Sequence, residues 1–71
     1  MNHEYFQQML NAQPFEPFAV HLSSGVVHEV RYPSRANLTR TRLVITDPDA
    51  DRIVVCSLLH IAKVEILQPT G

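Results

Sequence analysis

Only one cysteine, Cys56, occurs in these 71 residues, so no internal disulfide can brace the chain. Glycine is nearly as scarce, with two, and no Gly-rich turn accompanies a serine or cysteine in the manner of an oxyanion site. No apolar run approaches the roughly 20 residues that cross a bilayer. No positive run precedes an apolar core at the N-terminus, so a secretory signal is not expected. The net charge is −1, which removes any global attraction to nucleic acid or membranes. A lone cysteine within an apolar segment fits a reducing compartment, and a cytoplasmic location is the expectation. There is no internal repeat and no low-complexity segment.

What is present is apolar. Hydrophobic residues make up 45% of the chain, which places it among globular sequences rather than disordered ones. The length allows one small domain, residues 1–71. A domain of this size has little core to spare and often leans on disulfides, metal or self-association. The four histidines lack metal-ligand spacing, so close packing or oligomerisation is left as the support.

Residues 18–32, FAVHLSSGVVHEVRY, organise the rest. Phe18, Val20 and Leu22 alternate with Ala19 and His21, the period-2 pattern of a strand with one buried face. After Gly25 the alternation resumes. A two-residue Ser24-Gly25 loop would place Glu29 and Arg31 on the apolar face. A three-residue loop, Ser23-Ser24-Gly25, instead pairs Leu22 with Val26, Val20 with His28 and Phe18 with Val30. It sends Ala19, His21, Val27, Glu29 and Arg31 to the other side. Because a one-residue slip inverts every side chain, the second register is predicted, with Gly25 in the left-handed loop position.

Asn2 is placed to cap a short helix over 3–11, with Tyr5, Phe6, Met9 and Leu10 on one stripe. Pro14 and Pro17 end it, and Phe15 between them anchors the linker. Strands are predicted at 18–22, 26–32, 42–46, 53–57 and 61–67. Residues 33–40 form a loop or a single helical turn, and 47–51 a polar turn. The tail from Gln68 to Gly71 is expected to fray. The runs LVI and IVVC are apolar on both faces, so their second face needs a cover: barrel closure, the helix or another subunit. The predicted class is mainly β (α+β), a short helix followed by a five-stranded, strongly bent antiparallel sheet or partly open barrel.

The polar constellations are thin. His21 and His28 flank one turn but fall on opposite faces, and His3 and His60 come from distant segments, so no metal site is predicted. Asp47, Asp49 and Asp51 match the start of a calcium loop, but Arg52 and Leu58 stand where its Gly and Glu belong. Ser57 and His60 lack an acid to orient the histidine, and Cys56 sits in an apolar strand as a small hydrophobe. The chain therefore reads as non-enzymatic, with no cofactor and no small-molecule substrate. Arg31, Arg35, Arg40 and Arg42 are the local charge asymmetry, with Tyr32 beside them. Such a mixture suits phosphate contacts and base stacking on single strands, or it is a solvated loop balanced by Glu29 and the Asp47–Asp51 turn.

The order of elements resembles the Sm-like RNA-binding fold. Val20-x-Leu22-x-x-Gly25 is similar to the opening of the first Sm motif, and Tyr32-Pro33-Ser34-Arg35-Ala36-Asn37-Leu38 to its close. That match implies a base-contacting position for Asn37. Pro33 replaces the motif's Asp, the interval from Gly25 to Asn37 is short, and Ser57-Leu58 replaces the Arg-Gly pair of the second motif. Those changes remove much of the usual uridine pocket. The chain also looks like small uncharacterised bacterial proteins with a Pro-Phe…Ser-Asp-Gly…Val-x-His-Pro pattern, a resemblance that implies no function. The expected function is a non-catalytic interaction module, self-associating or docking on a protein partner through a sheet edge or the second apolar face. The alternative is single-stranded RNA binding through Tyr32, Arg35, Asn37 and Arg40.

Overall fold

A computed structural model describes residues 2–67. The helix α1, His3–Asn11, begins where Asn2 Oδ1 accepts from the Tyr5 amide at 2.9 Å. That bond satisfies one of the N–H groups a helix start leaves open. The helix stops short of Pro14, with the Ala12 amide donating to Met9 O at 3.4 Å. Phe6 is fully buried, and Met9 and Leu10 pack beside it against the core, whereas Tyr5 at the edge of the stripe is exposed. Nine residues of helix gain little stability on their own. This helix is held by its apolar face and by His3, whose Nδ1 lies 2.9 Å from Thr39 O.

Six strands follow: β1 Phe18–Leu22, β2 Val27–Val30, β3 Ala36–Leu38, β4 Arg42–Asp47, β5 Arg52–Ser57 and β6 Ile61–Ile66. They form two antiparallel three-stranded sheets, ordered β2-β1-β6 and β3-β4-β5. The chain is therefore mainly β with one short helix, as predicted. The single five-stranded sheet is replaced by two smaller ones, and no strand ladder closes them into a barrel among the described residues.

The first hairpin takes the register that segregates its faces. Phe18 lies opposite Val30, Val20 opposite His28 and His21 opposite Val27, and the Leu22 amide donates to Val26 O at 2.8 Å. Gly25 carries φ +95°, the region where a Cβ is disfavoured, and its amide donates to Leu22 O. His21 and His28 consequently point to opposite faces. Ala19, on the outward side, is nonetheless buried. It occupies the central strand between Glu29 and Glu65, where its short methyl lies below their longer stems.

The split into two sheets has a local cause. Pro33 has no N–H to give a ladder. Pro33–Arg35 instead make one turn of 3₁₀ helix, and the chain re-enters pairing at Ala36. Residues 33–40, expected as a loop or a helical turn, thus hold that turn followed by β3. Three residues without a β-branched side chain carry no strand signal of their own. Pairing with β4 makes them one, Ala36 opposite Ile45 and Leu38 opposite Leu43.

A second departure lies in β6. Simple alternation groups Ile61 with Lys63 and Glu65, yet Ile61 is buried and the other two are exposed. An irregularity in the ladder resolves this. Lys63 lies opposite His21 but Ile61 lies opposite Leu22, leaving Ala62 unmatched. A bulge of this kind reverses the facing of whatever follows it.

The core sits between the sheets. Phe18, Val20 and Val30 from the first meet Leu43, Ile45 and Cys56 from the second, and Phe6, Leu58 and Ile61 close the ends. The Phe18 ring lies 6.3 Å from Phe6 and 6.1 Å from Phe15, centroid to centroid, so linker and helix converge on one aromatic. The helix thus covers its own chain. No helix among the described residues is long and apolar enough to cross a membrane.

Candidate functional site

The outward face of the β3-β4-β5 sheet is the first feature that packing does not explain. In β4 and β5, Leu43, Ile45, Val54 and Cys56 share the inward side, so Val44, Ile53 and Val55 stand on the outward one. Ile53 is 68% exposed and Val55 57% exposed. Neither the helix nor the first sheet reaches over them. Among the described residues β5 pairs with β4 alone, so its other margin is a six-residue edge. Past Arg52 that edge is apolar and uncharged, the kind that can template pairing with another strand.

The arginine-rich segment is partly assembled. The Arg35 guanidinium lies 5.1 Å from the centroid of the Tyr32 ring, and Tyr32 is 57% exposed. The 3₁₀ turn produces this approach by setting the two side chains three positions apart on a tight helix. Asn37 is exposed on the outward side of β3, opposite Val44, and Arg40 is exposed in the β3–β4 turn. The structure thus brings Tyr32 and Arg35 together, while Asn37 and Arg40 stand apart from that pair. Some of the positive charge is balanced locally. Arg31 donates to Glu29 Oε1 at 2.8 and 3.1 Å, and Arg35 lies 3.8 Å from Asp49.

A third feature had no sequence signal. Between β2 and the far ends of β4 and β5 lies a cleft of about 320 Å³. Arg31 and Arg35 share it with Arg52, a residue from the opposite end of the Asp-rich turn. Proximity of Arg52 to the other two depends on the way the second sheet folds back, which no spacing reveals.

The residues weighed for nucleophilic and metal chemistry lie apart. Cys56 is buried opposite Leu43, and burial pushes its thiol pKa up, away from the reactive thiolate. Among the described residues no three His, Cys, Asp or Glu side chains group as metal ligands. Asp47–Asp51 form a turn closed by amides rather than an ion loop, with Ala50 N donating to Asp47 O and Asp51 N to Pro48 O. Compared with known proteins, the chain matches no family model, and no curated protein or solved structure shows significant similarity.

Proposed function

We propose that this chain is a non-catalytic interaction module that self-associates through the free edge of β5. The observation that carries the reading is the coincidence of that edge with Ile53 and Val55, two β-branched residues exposed beside it. A two-fold pairing with Val55 opposite Val55 sets outward residues against outward ones. Ile53 then meets Ser57, Val54 meets Cys56, and the two Arg52 groups stay apart. Each subunit so extends the other's sheet, and the apolar strip becomes continuous. We read the two sheets as an SH3-like or Sm-like partly open barrel in which β2, the 3₁₀ turn and β3 correspond to one bent strand.

Light scattering on a sizing column across a concentration series tests this. The expected result is a dimer at tens of micromolar (roughly the range of a small interface) that Val55→Lys converts to a folded monomer. A wild-type monomer at every concentration would discard the self-association reading and direct the search to a different protein docking on the same edge.

One observation favours a second reading. An exposed tyrosine under an arginine is a stacking platform, and single-stranded RNA is its natural occupant. Arg40 and Asn37 would extend that surface. Fluorescence anisotropy with a short single-stranded RNA should then show salt-sensitive affinity that falls when Arg35 and Arg40 become Ala. Binding that ignores salt, or no binding, removes this reading; a six- or seven-membered ring on the column would raise it above the first.

A further inference from the structure

The cleft between the sheets lies apart from the outward strip of β5 and shares only Arg35 with the tyrosine platform, and its construction points to a ligand. One wall is β2. In an antiparallel ladder, residues alternate between aiming their backbone groups at the partner strand and aiming them away. Leu22 N donates to Val26 O, and on the opposite side of β1 the Leu67 amide donates to Pro17 O. Even-numbered residues of β1 therefore bond to β2 and odd-numbered ones to β6. It follows that His28 and Val30 bond to β1, and that the N–H and C=O of Val27 and Glu29 face away from it, on the side of the cleft.

The other wall is the uncovered end of β4. The ladder from β3 reaches Ile45 and no further, because the 3₁₀ turn has lifted residues 33–35 out of it. Only the Thr46 hydroxyl continues the connection, donating to Arg35 O at 3.3 Å. The cleft is thus the gap where a bent strand has been interrupted. Val27, Ile45 and Val54 give it an apolar lining.

The charges around it are not matched one for one. Arg31, Arg35 and Arg52 line the cleft with Glu29 and Asp47. Glu29 is engaged by Arg31. Arg35 lies over the Tyr32 ring and has a long approach to Asp49, a carboxylate largely in solvent, but its guanidinium makes no hydrogen bond among the described residues. Arg52 lies opposite Asp47 in the ladder but makes no side-chain hydrogen bond or ion pair among the described residues. Two guanidinium forks therefore face a half-apolar cleft with donors to spare. Such forks match the paired oxygens of a carboxylate or a phosphate.

We propose that this cleft binds a small organic anion, its carboxylate or phosphate seated on Arg35 and Arg52 and its apolar body lying over Val27, Ile45 and Val54. A volume of about 320 Å³ stands at the small end of ligand clefts, which suits a single substituted ring. The site is independent of the self-association reading, since its residues lie on the cleft side of the sheet and not along Ile53 and Val55.

Amide and arginine side-chain NMR on the full chain tests it, with phenyl phosphate, benzoate and inorganic phosphate as probes and the sizing column run alongside. Saturable shifts confined to Val27, Glu29, Thr46 and Arg52 are expected from phenyl phosphate or benzoate, and whichever binds identifies the head group. Inorganic phosphate, lacking the apolar body, should bind at least about tenfold more weakly. Arg52→Gln and Arg35→Gln should each weaken binding about tenfold, as loss of a charged hydrogen bond does. Lys63→Gln, on the outward face of the first sheet, should change nothing. Unsaturated or scattered shifts overturn the proposal, as does binding indifferent to Arg52→Gln or binding in which inorganic phosphate equals phenyl phosphate.

Discussion

The two sheets share one core yet treat their outward faces differently. In the β2-β1-β6 sheet most outward positions are polar or charged and several are paired: His21 Nε2 lies 3.0 Å from Glu65 on the neighbouring strand, and Arg31 is paired with Glu29 two residues before it. In the β3-β4-β5 sheet Val44, Ile53 and Val55 form an apolar strip on the outward side, beside Asn37, Arg42 and Thr46. Alternation in sequence reports what each face meets, so the first sheet is built to end at water. The second carries an apolar strip on its outward side as well as its inward one. A difference this local, within one small fold, is invisible in overall composition.

The strongest way to break that comparison is through the shared core. Phe18→Ala removes the aromatic on which helix, linker and both sheets converge, and should cost about 3–5 kcal/mol. That is a large part of the stability expected of a small domain. Leu43→Ala, from the second sheet, should cost about 2–5 kcal/mol, and urea unfolding measures both. If Leu43→Ala left the amides of β1 protected in hydrogen exchange, the two sheets would not be one cooperative unit.

Inward and outward valines give a sharper contrast at smaller scale. Val20→Ala should cost about 2 kcal/mol, since it empties a fully buried site. Val55→Ala should lie within about 0.5 kcal/mol of the parent at concentrations where the chain is monomeric. Equal losses would mean that Val55 is covered in solution.

Next in size is Gly25→Ala, which forces a Cβ onto a residue at φ +95° and should destabilise by about 1 kcal/mol. No atom lies within 4 Å of that Cβ, so the loss is backbone strain alone and Gly25→Asn should recover part of it.

The smallest effect is expected from Cys56. Burial raises its thiol pKa in the folded state, so the folded chain holds that proton more tightly than the unfolded one. Its contribution is fully present below the ordinary thiol range and is lost as pH rises through the raised value. Thermal melts from neutral to alkaline pH should show a decline that Cys56→Ala flattens.

How much of this was legible depended on whether neighbouring residues or distant ones decided each feature. Asn2, the Tyr5-to-Leu10 stripe and Pro14 gave the helix limits, because capping and periodicity are local. The hairpin register was legible because only one pairing segregated Phe18, Val20 and Val30 from Glu29 and Arg31. Strand β3 was not, since Ala36-Asn37-Leu38 becomes a strand only by lying beside β4. Ile61 misled for a similar reason: its inward facing comes from a bulge in the ladder with β1. Of the candidate site, Tyr32 and Arg35 are brought together as their spacing allows, whereas the approach of Arg52 to the cleft was invisible until the second sheet was folded.

The placement of β1 bears on how this chain comes off a ribosome. Its two neighbours are β2, joined to it by a short loop, and β6, the last strand described. The hairpin can form as soon as it emerges, but its second margin stays bare until β6 has been made. Pairings between such distant segments are slow, and an open apolar strand is the form in which nascent chains associate wrongly. Synthesis speed between Pro33 and Ile61 therefore sets how long that margin of β1 stays unpaired and how long Phe18 and Val20 wait for Leu43, Ile45 and Cys56. A pulse-labelled chain stalled before Ile61 should remain sensitive to protease along β1, and release of β6 should end that sensitivity in one step.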